Sequence, residues 1–415
     1  MSATGGSLLR NTRFLQLWVG QGISFVGDFV STVALVVLIV QITDSATAVG
    51  GVLVARLLPT LASPLVGVLA DRLDRRAILV ASDLARAILI LAVIFTRDIV
   101  VLYVLVFLMG LARTFFNPTV RAAFPSVVGG GDLTRANAII SGTFSASITV
   151  GPAIGGLLVA TVGVNAAFVF DAVTYLISAV FLSRISLPRP QSGGDGEGFL
   201  GELRAGFGYL AGARVPLAIV VGSFLTILAI NTTIPAEVFL AKETFGAGNA
   251  GYGLLVSLWG GGTVLGSILM AVLGDRYRLM PFYFLSIFVG GLALMGTGLA
   301  PVFALALGAL VIEGVCTGID NVSTDTILQN TVPDAFLGRV FSVRFLTYSA
   351  GEALAYFAGG LIVDSFGPRL TYLFAGIAAV AAGLVVLLLV AALPESSKKG
   401  DRPTRPTRRR QRRGI

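Results

Sequence analysis

The chain has 415 residues, of which 55% are hydrophobic and only 13% charged, about half the ~25% charged residues of a soluble domain. With a mean hydropathy of +0.89 it has too few charges to coat soluble domains of this length, so the sequence describes an integral membrane protein. The absence of histidine excludes histidine acid–base chemistry, a Ser-His-Asp triad and histidine-ligated metal, and the one cysteine, Cys316, excludes an intrachain disulfide.

Apolar runs of roughly 20 residues or more predict twelve membrane spans, at 14–42, 46–70, 77–96, 99–122, 134–161, 164–186, 215–240, 250–273, 280–299, 302–327, 338–363 and 370–393. Helices are the expected form, because a helix satisfies its own backbone in lipid. Arg10 and Arg13 lead straight into the first span with no small-residue cleavage site, which predicts a first helix and not a cleaved leader.

Charge orients the spans. With both termini on one side, that side takes 24 of the 30 Lys and Arg residues, while the other takes Arg97, Lys242 and Arg369. Arg56, Arg86 and Arg113 fall inside spans. The asymmetry predicts an even number of spans with both termini cytoplasmic. The formal charge of +8 comes mostly from the tail, whose nine Lys and Arg face only Glu395 and Asp401. Such a tail points to a disordered segment on anionic lipid, or to a charge run that only fixes orientation, and not to nucleic acid.

The longest interruption, 187–214, contains Pro188, Pro190 and a run of Gly, Ser and acidic residues. It reads as a cytoplasmic linker between a six-helix half at 1–186 and a second at 215–393, with Phe199–Leu210 as a short interfacial helix and 394–415 as the basic tail. The halves repeat at a shift of 204 residues. Gly67-Val68-Leu69-Ala70-Asp71-Arg72 falls on Ala271-Val272-Leu273-Gly274-Asp275-Arg276, Asn117 on Asn321, Gly155-Gly156-Leu157 on Gly359-Gly360-Leu361 and Gly163 on Gly367. Parallel repeats of this size suit a transporter.

Three motifs carry a family resemblance. Gly67-x-x-x-Asp71-Arg72-x-x-Arg75-Arg76 lies between spans 2 and 3, with a degenerate copy, Gly274-Asp275-Arg276, between spans 8 and 9. It resembles the signature loop of the major facilitator superfamily, with Asp74 where a second Gly is usual. Ser147-x-x-x-Gly151-Pro152-x-x-Gly155-Gly156 in span 5 resembles the antiporter motif of the drug-efflux branch. The opening Phe14-x-x-Leu17-Trp18-x-Gly20-Gln21-x-x-Ser24-x-x-Gly27 is similar to macrolide-efflux and enterobactin-exporter members. The resemblance implies an all-α fold of twelve transmembrane helices in two six-helix halves. It also implies a gating loop in which Asp71 meets a helix N-terminus while Arg72, Arg75 and Arg76 pair with carboxylates or lipid. The bland alternatives are arginines that only set topology, and span 5 glycines that only pack helices.

Ionisable groups inside spans are costly and hence candidates for function. Asp28 lies ~22 Å along its helix from Arg13 at 1.5 Å per residue, near the bilayer midplane, and shares a polar stripe with Gln21, Ser24 and Ser31. Span 10 carries Glu313, Thr317, Asp320 and Thr324; span 4 carries Arg113 and Asn117. In the family, spans 1, 4, 7 and 10 line the pathway. Asp28, then Glu313, are the expected proton carriers, with Arg113 a switching counter-charge or substrate contact. Arg56 has nearly the depth of Asp28, so a fixed ion pair is the competing reading for Asp28. Asp83 and Arg86, one turn apart, read as a structural pair; Asp171 and Glu352 are further buried candidates.

The expected function is proton-coupled export of a small hydrophobic or amphipathic compound by a monomer that uses no cofactor beyond the proton gradient. No G-x-x-x-x-G-K-[ST] is present, which excludes pumping on a P-loop of its own. Import or uncoupled facilitation is the alternative. An intramembrane enzyme or sensor is more remote, because Glu313 and Asp320 stand ~10 Å apart along one helix and form no close dyad.

Overall fold

The computed structural model describes residues 8–63, 66, 73–128, 132–185, 187, 199–274 and 278–391. Gly67, Asp71 and Arg72 of the loop motif, Asp275 and Arg276 of its copy, most of the linker and the basic tail lie outside the described residues. Every regular element described is helical.

The first set comprises α1 (Thr12–Thr43), α2 (Ala46–Leu57), α3 (Arg75–Val93), α4 (Ile99–Val128), α5 (Leu133–Thr161) and α6 (Val164–Ser183). Helix α7 (Phe199–Gly212) follows. The second set comprises α8 (Arg214–Asn231), the short α9 (Ile234–Phe239), α10 (Gly248–Leu273), α11 (Leu279–Leu299), α12 (Phe303–Thr331), α13 (Asp334–Phe366) and α14 (Pro368–Ala391). Among the described residues nine helical segments are long and apolar enough to cross a membrane. The other three predicted spans are not among them: residues 64, 65 and 67–70 of the second lie outside the described residues, α3 carries Arg75, Arg76, Asp83 and Arg86, and α13 is diluted by glycines, hydroxyl residues and Glu352. Outward-facing apolar side chains such as Ile88, Phe95 and Leu388, 68%, 87% and 69% exposed, form a surface suited to lipid.

Local chemistry sets the helix ends. Asn11 caps α1, accepting from the Arg13 and Phe14 N–H groups, and its amide donates to the Val127 carbonyl at 2.8 Å, which ties α1 to the end of α4. Asp74, where the loop signature has glycine, caps α3 by accepting from the Ala77 N–H at 2.8 Å. The turns before α6 and α14 each hold a glycine at positive φ, Gly163 at 104° and Gly367 at 82°. Those two glycines match under the shift of 204 residues, which also carries the starts of α3, α4 and α6 onto those of α11, α12 and α14. Helix α7 buries Leu203 and Leu210 in the second set's core.

The helices have a basic end, where the Arg75–Arg76, Arg135 and Arg339 segments lie, and an opposite, far end. At the far end one apolar cluster runs through both sets, from Val30–Val40 of α1 to Phe239, Tyr252 and Tyr372. At the basic end the core divides. Phe14, Leu79, Phe124 and Leu182 belong to one cluster; Leu210, Tyr283, Ile327 and Val343 belong to another. Among the described residues the two sets are therefore joined at the far end and parted at the basic end.

Two seams make the far-end closure. Helix α5 meets α10 at Gly156 and Gly253, where a Cβ on Gly156 would stand 2.7 Å from the Gly253 Cα, and any side chain would force the helices apart. Gly151 and Gly155 of the same motif pack on α1 at Phe29 and Val30, and Pro152 is buried beside them. The second seam joins α13 to the start of α2. The Asp364 carboxylate accepts from the Ala46 N–H at 2.7 Å, the Thr47 N–H at 3.0 Å and the Ser45 hydroxyl at 2.8 Å. An acid of one set thus caps a helix of the other, where free N–H groups and the helix dipole both favour negative charge. Burial pushes this carboxyl up, but the donors from Thr47, Ser45 and Ala46 outweigh it and hold it below its ordinary value.

Asp364→Ala should remove about 1 kcal/mol of closure, shifting the closed-to-open ratio at the far end about fivefold. Alkylation of a cysteine placed at Asn249, in a Cys316→Ser background in detergent, should speed up accordingly. Because the group titrates below its unfolded value, its contribution is complete above that value and disappears as pH falls through the folded one. The unmutated protein should therefore approach the variant's rate only at strongly acidic pH.

Candidate functional site

The polar groups of the first set converge near mid-depth. Helix α1 presents Gln21, Ser24, Asp28 and Ser31 on one face, all buried. That face meets α6, since Gly20 lies against Ser178 and Gly27 against Asp171 and Thr174. The stripe therefore addresses a partner helix along most of its length. The Tyr175 hydroxyl of α6 donates to Asp28 Oδ1. Arg56 of α2 stands 4.0 Å from the same oxygen and donates its direct hydrogen bond to the Thr32 hydroxyl. The two charges of the anticipated Asp28–Arg56 pair thus attract each other without sharing a hydrogen bond.

Arg86 of α3 pairs with Asp83 one turn away, both fully buried. Its guanidinium lies between the Phe116 and Tyr175 rings, 4.4 Å from each centroid. This is a fixed cation with two aromatic faces. Tyr175 thus touches both charge systems, with its hydroxyl on Asp28 and its ring on Arg86. Asp171, also fully buried, accepts from the Thr174 hydroxyl at 3.2 Å and keeps a second oxygen without a hydrogen-bond partner.

Arg113 of α4 is half-buried and in electrostatic range of Asp28, Arg56, Arg86 and Tyr175. It also faces the second set, since Glu352 of α13 feels its charge. Glu352 accepts from the Tyr356 hydroxyl at 2.5 Å, and Tyr356 in turn is in range of Arg56. Asp28, Arg56, Arg113 and Glu352 therefore form one cluster where the two sets meet, just on the basic-end side of the shared apolar core. Asn117, one turn along from Arg113, is exposed.

Glu313 and Asp320 are elsewhere. Glu313 is 1% exposed. It accepts from the Thr317 hydroxyl at 2.8 Å and lines a cavity inside the second set together with Asp320, Cys316, Thr226 and Ser286. The span 10 stripe thus turns inward within its own set, because Gly314 and Gly318 press α12 tightly onto α10. Thr324 is fully buried as well. Of the loop residues described, Arg75 donates to the Ala122 carbonyl of α4 at 3.3 Å, and Arg76 is exposed.

Several contributors were not singled out from the sequence. Tyr175 stands one turn from Asp171 on a shared face, a spacing that would have revealed it. Glu237 of α9, half-buried and in electrostatic range of Tyr252, Tyr372 and Glu313, follows Pro235 in an apolar run with no stripe to flag it. Asp364 caps a helix more than 300 residues away in the chain, and no local pattern marks it.

Tyr175→Phe keeps the ring over Arg86 but removes the donor to Asp28, and should cost about 1.5–3 kcal/mol, the value of a hydrogen bond to a charged group. Tyr175→Leu also removes the ring and should cost more. Thermal unfolding in detergent should rank the midpoints wild type, Phe, Leu in descending order.

Residues 3–410 match the family model described as transmembrane secretion effector. The chain is 29% identical over 338 residues to the putative bacilysin exporter BacE of Bacillus subtilis (strain 168), covering 79% of this chain and 82% of that one. It is 22% identical over 380 residues to macrolide efflux protein A of Streptococcus pyogenes, covering 88% and 92%. Among solved structures, a bacterial homologue of the iron transporter ferroportin in its inward-facing state superposes with a TM-score of 0.75 at 15% identity, covering 92% of this chain and 99% of that one. The last likeness is one of fold. The chain is a membrane transporter of the major facilitator superfamily and belongs to its transmembrane secretion effector family.

Proposed function

We propose that the protein is a secondary active exporter of a small hydrophobic or amphipathic compound, driven by proton antiport through alternating access. The observation that carries the reading is the mid-depth cluster at the meeting of the two sets. There Asp28 is held by the neutral Tyr175 hydroxyl and approached, without a shared hydrogen bond, by Arg56. A carboxylate whose counter-charges stand off at such a distance gains or loses a proton when a neighbouring helix moves, because desolvation and nearby cations act on it in opposite directions. Arg113 and Glu352 face each other across the sets and supply the switching contact.

The topology follows the charge. With the basic end in the cytoplasm, α2, α3 and α13 also cross, giving twelve spans and two cytoplasmic termini in a bacterial plasma membrane. Closure at the far end and parting at the basic end then describe an inward-facing state. Efflux by relatives named as bacilysin and macrolide exporters supports the outward direction. Arg75, Arg76 and the rest of the loop motif latch the basic end in the opposite state, and the tail rests on anionic lipid. Substrate and protons are the partners of a monomer, with the proton gradient in place of a cofactor.

Inverted membrane vesicles, acidified inside and screened over a panel that includes a macrolide and a hydrophobic dipeptide, test this. Compound-triggered proton release is expected, with at least a tenfold loss in Asp28→Asn and partial loss in Arg113→Gln. Release surviving in Asp28→Asn moves the carrier to Glu313. Labelled compound that equilibrates without proton movement makes the protein a facilitator, and substrate-driven proton flow in the import direction makes it an importer.

A further inference from the structure

The cavity inside the second set holds more unpaired oxygen than packing explains. Helix α12 contributes Glu313 and Asp320, α8 contributes Thr226 and α11 contributes Ser286. Glu313 Oε2, Asp320 Oδ1 and Thr226 Oγ1 are buried without a hydrogen-bond partner. Glu313 is 1% exposed and Thr226 is 3% exposed. Buried polar atoms left unpaired are rare in proteins, and a bound water or ion is a standard reason for them. Here the three residues that carry these atoms, from two helices, line one space of about 10 Å³, roughly the size that admits a single water.

Charge narrows the occupant. No basic side chain lines the space. The Arg344 guanidinium is in range of Asp320 but is already paired with Asp325. Two carboxylates in a low-dielectric interior cost several kcal/mol unless a cation or a proton answers them. The donors are carboxylate and hydroxyl oxygens, the preference of a hard cation. Among the described residues no three His, Cys, Asp or Glu side chains are placed to hold a metal together, and the space has no room for the water shell that Mg²⁺ retains. A small monovalent ion remains. Thr317 and Asp320 are half-buried whereas Glu313 is not, so the entry lies on the Asp320 side, toward the basic end.

We propose that this cavity is a binding site for one small monovalent metal cation, of which Na⁺ is the type, coordinated by Glu313, Asp320 and Thr226 with the Thr317 and Ser286 hydroxyls beside them. It is separate from the Asp28 cluster, and its existence does not depend on proton antiport there.

Trp259 reports on the site, because its backbone packs on Gly314 and its side chain lies beside Glu313. Trp18 is the other tryptophan, so Trp18→Phe isolates the signal. With that variant in lipid nanodiscs, NaCl replaces choline chloride at constant ionic strength and pH. A saturable change in Trp259 emission is expected, together with a raised thermal midpoint in Na⁺. Glu313→Gln should abolish the response and Thr226→Val should weaken the apparent affinity at least tenfold, so that a folding failure of the first leaves the second to decide. Asp28→Asn should retain the Na⁺ response even where it has lost proton release, which separates failure of the cavity site from failure of the antiport reading. No response to Na⁺, a response matched by K⁺ and choline alike, a response to Ca²⁺ alone, or a response to pH alone would each overturn the proposal.

Discussion

An ion placed among apolar helices must be answered within a few ångströms, and this requirement organises the protein. A charge in the bilayer interior costs several kcal/mol when unpaired, so each charged side chain that leaves the surface draws partners from neighbouring helices. Asp83 and Arg86 answer each other one turn apart, and two aromatic rings enclose the guanidinium. Asp28 is answered by a phenol on α6 and at longer range by cations of α2, α3 and α4. Four helices are thereby fixed around α1 before any apolar contact is considered.

The apolar contacts decide a different matter, the relation of the two helix sets. One core crosses between them at the far end, while two separate cores lie at the basic end. The seams that close the far end differ in kind. At Gly156 and Gly253 the backbones touch, and the contact is lost steeply with distance. At Asp364 a carboxylate holds the N-terminus of α2, a contact that is electrostatic and reaches farther. Together with the shared apolar core they close the far end. The span 5 glycines thus have two roles, Gly151 and Gly155 toward α1 and Gly156 toward the opposite set.

The two sets do not use their acids alike. Those of the first set lie among three arginines and border the meeting plane. Those of the second set, Glu313 and Asp320, line a space with no cation among its described lining residues. Sequence repetition at a shift of 204 residues preserves the turns, down to the positive φ of Gly163 and Gly367, but not the polar interior. The repeat has kept the scaffold and diverged in its charges.

Sequence alone determined the membrane character, the all-helical class, the family and the helices that carry Asp28, Arg56, Arg113, Glu313 and Glu352. These follow from apolar run length, charge placement and short motifs, all local properties of the chain. It also identified Asp83 and Arg86 as partners, since spacing on one helix fixes their proximity. What it left open was direction around each helix axis. The stripes of spans 1 and 10 look equivalent in the sequence, yet one meets α6 beside the central cluster and the other closes on a cavity of its own set. Helix periodicity says which residues share a face, but the face presented to a neighbour is set by where small residues permit close approach, as at Gly314 and Gly318. Contacts between distant segments were likewise decided only by the tertiary structure: Tyr175 on Asp28, Glu352 opposite Arg113, and Asp364 on α2. The energy of each depends on a pair of residues more than 100 positions apart, which no local pattern encodes.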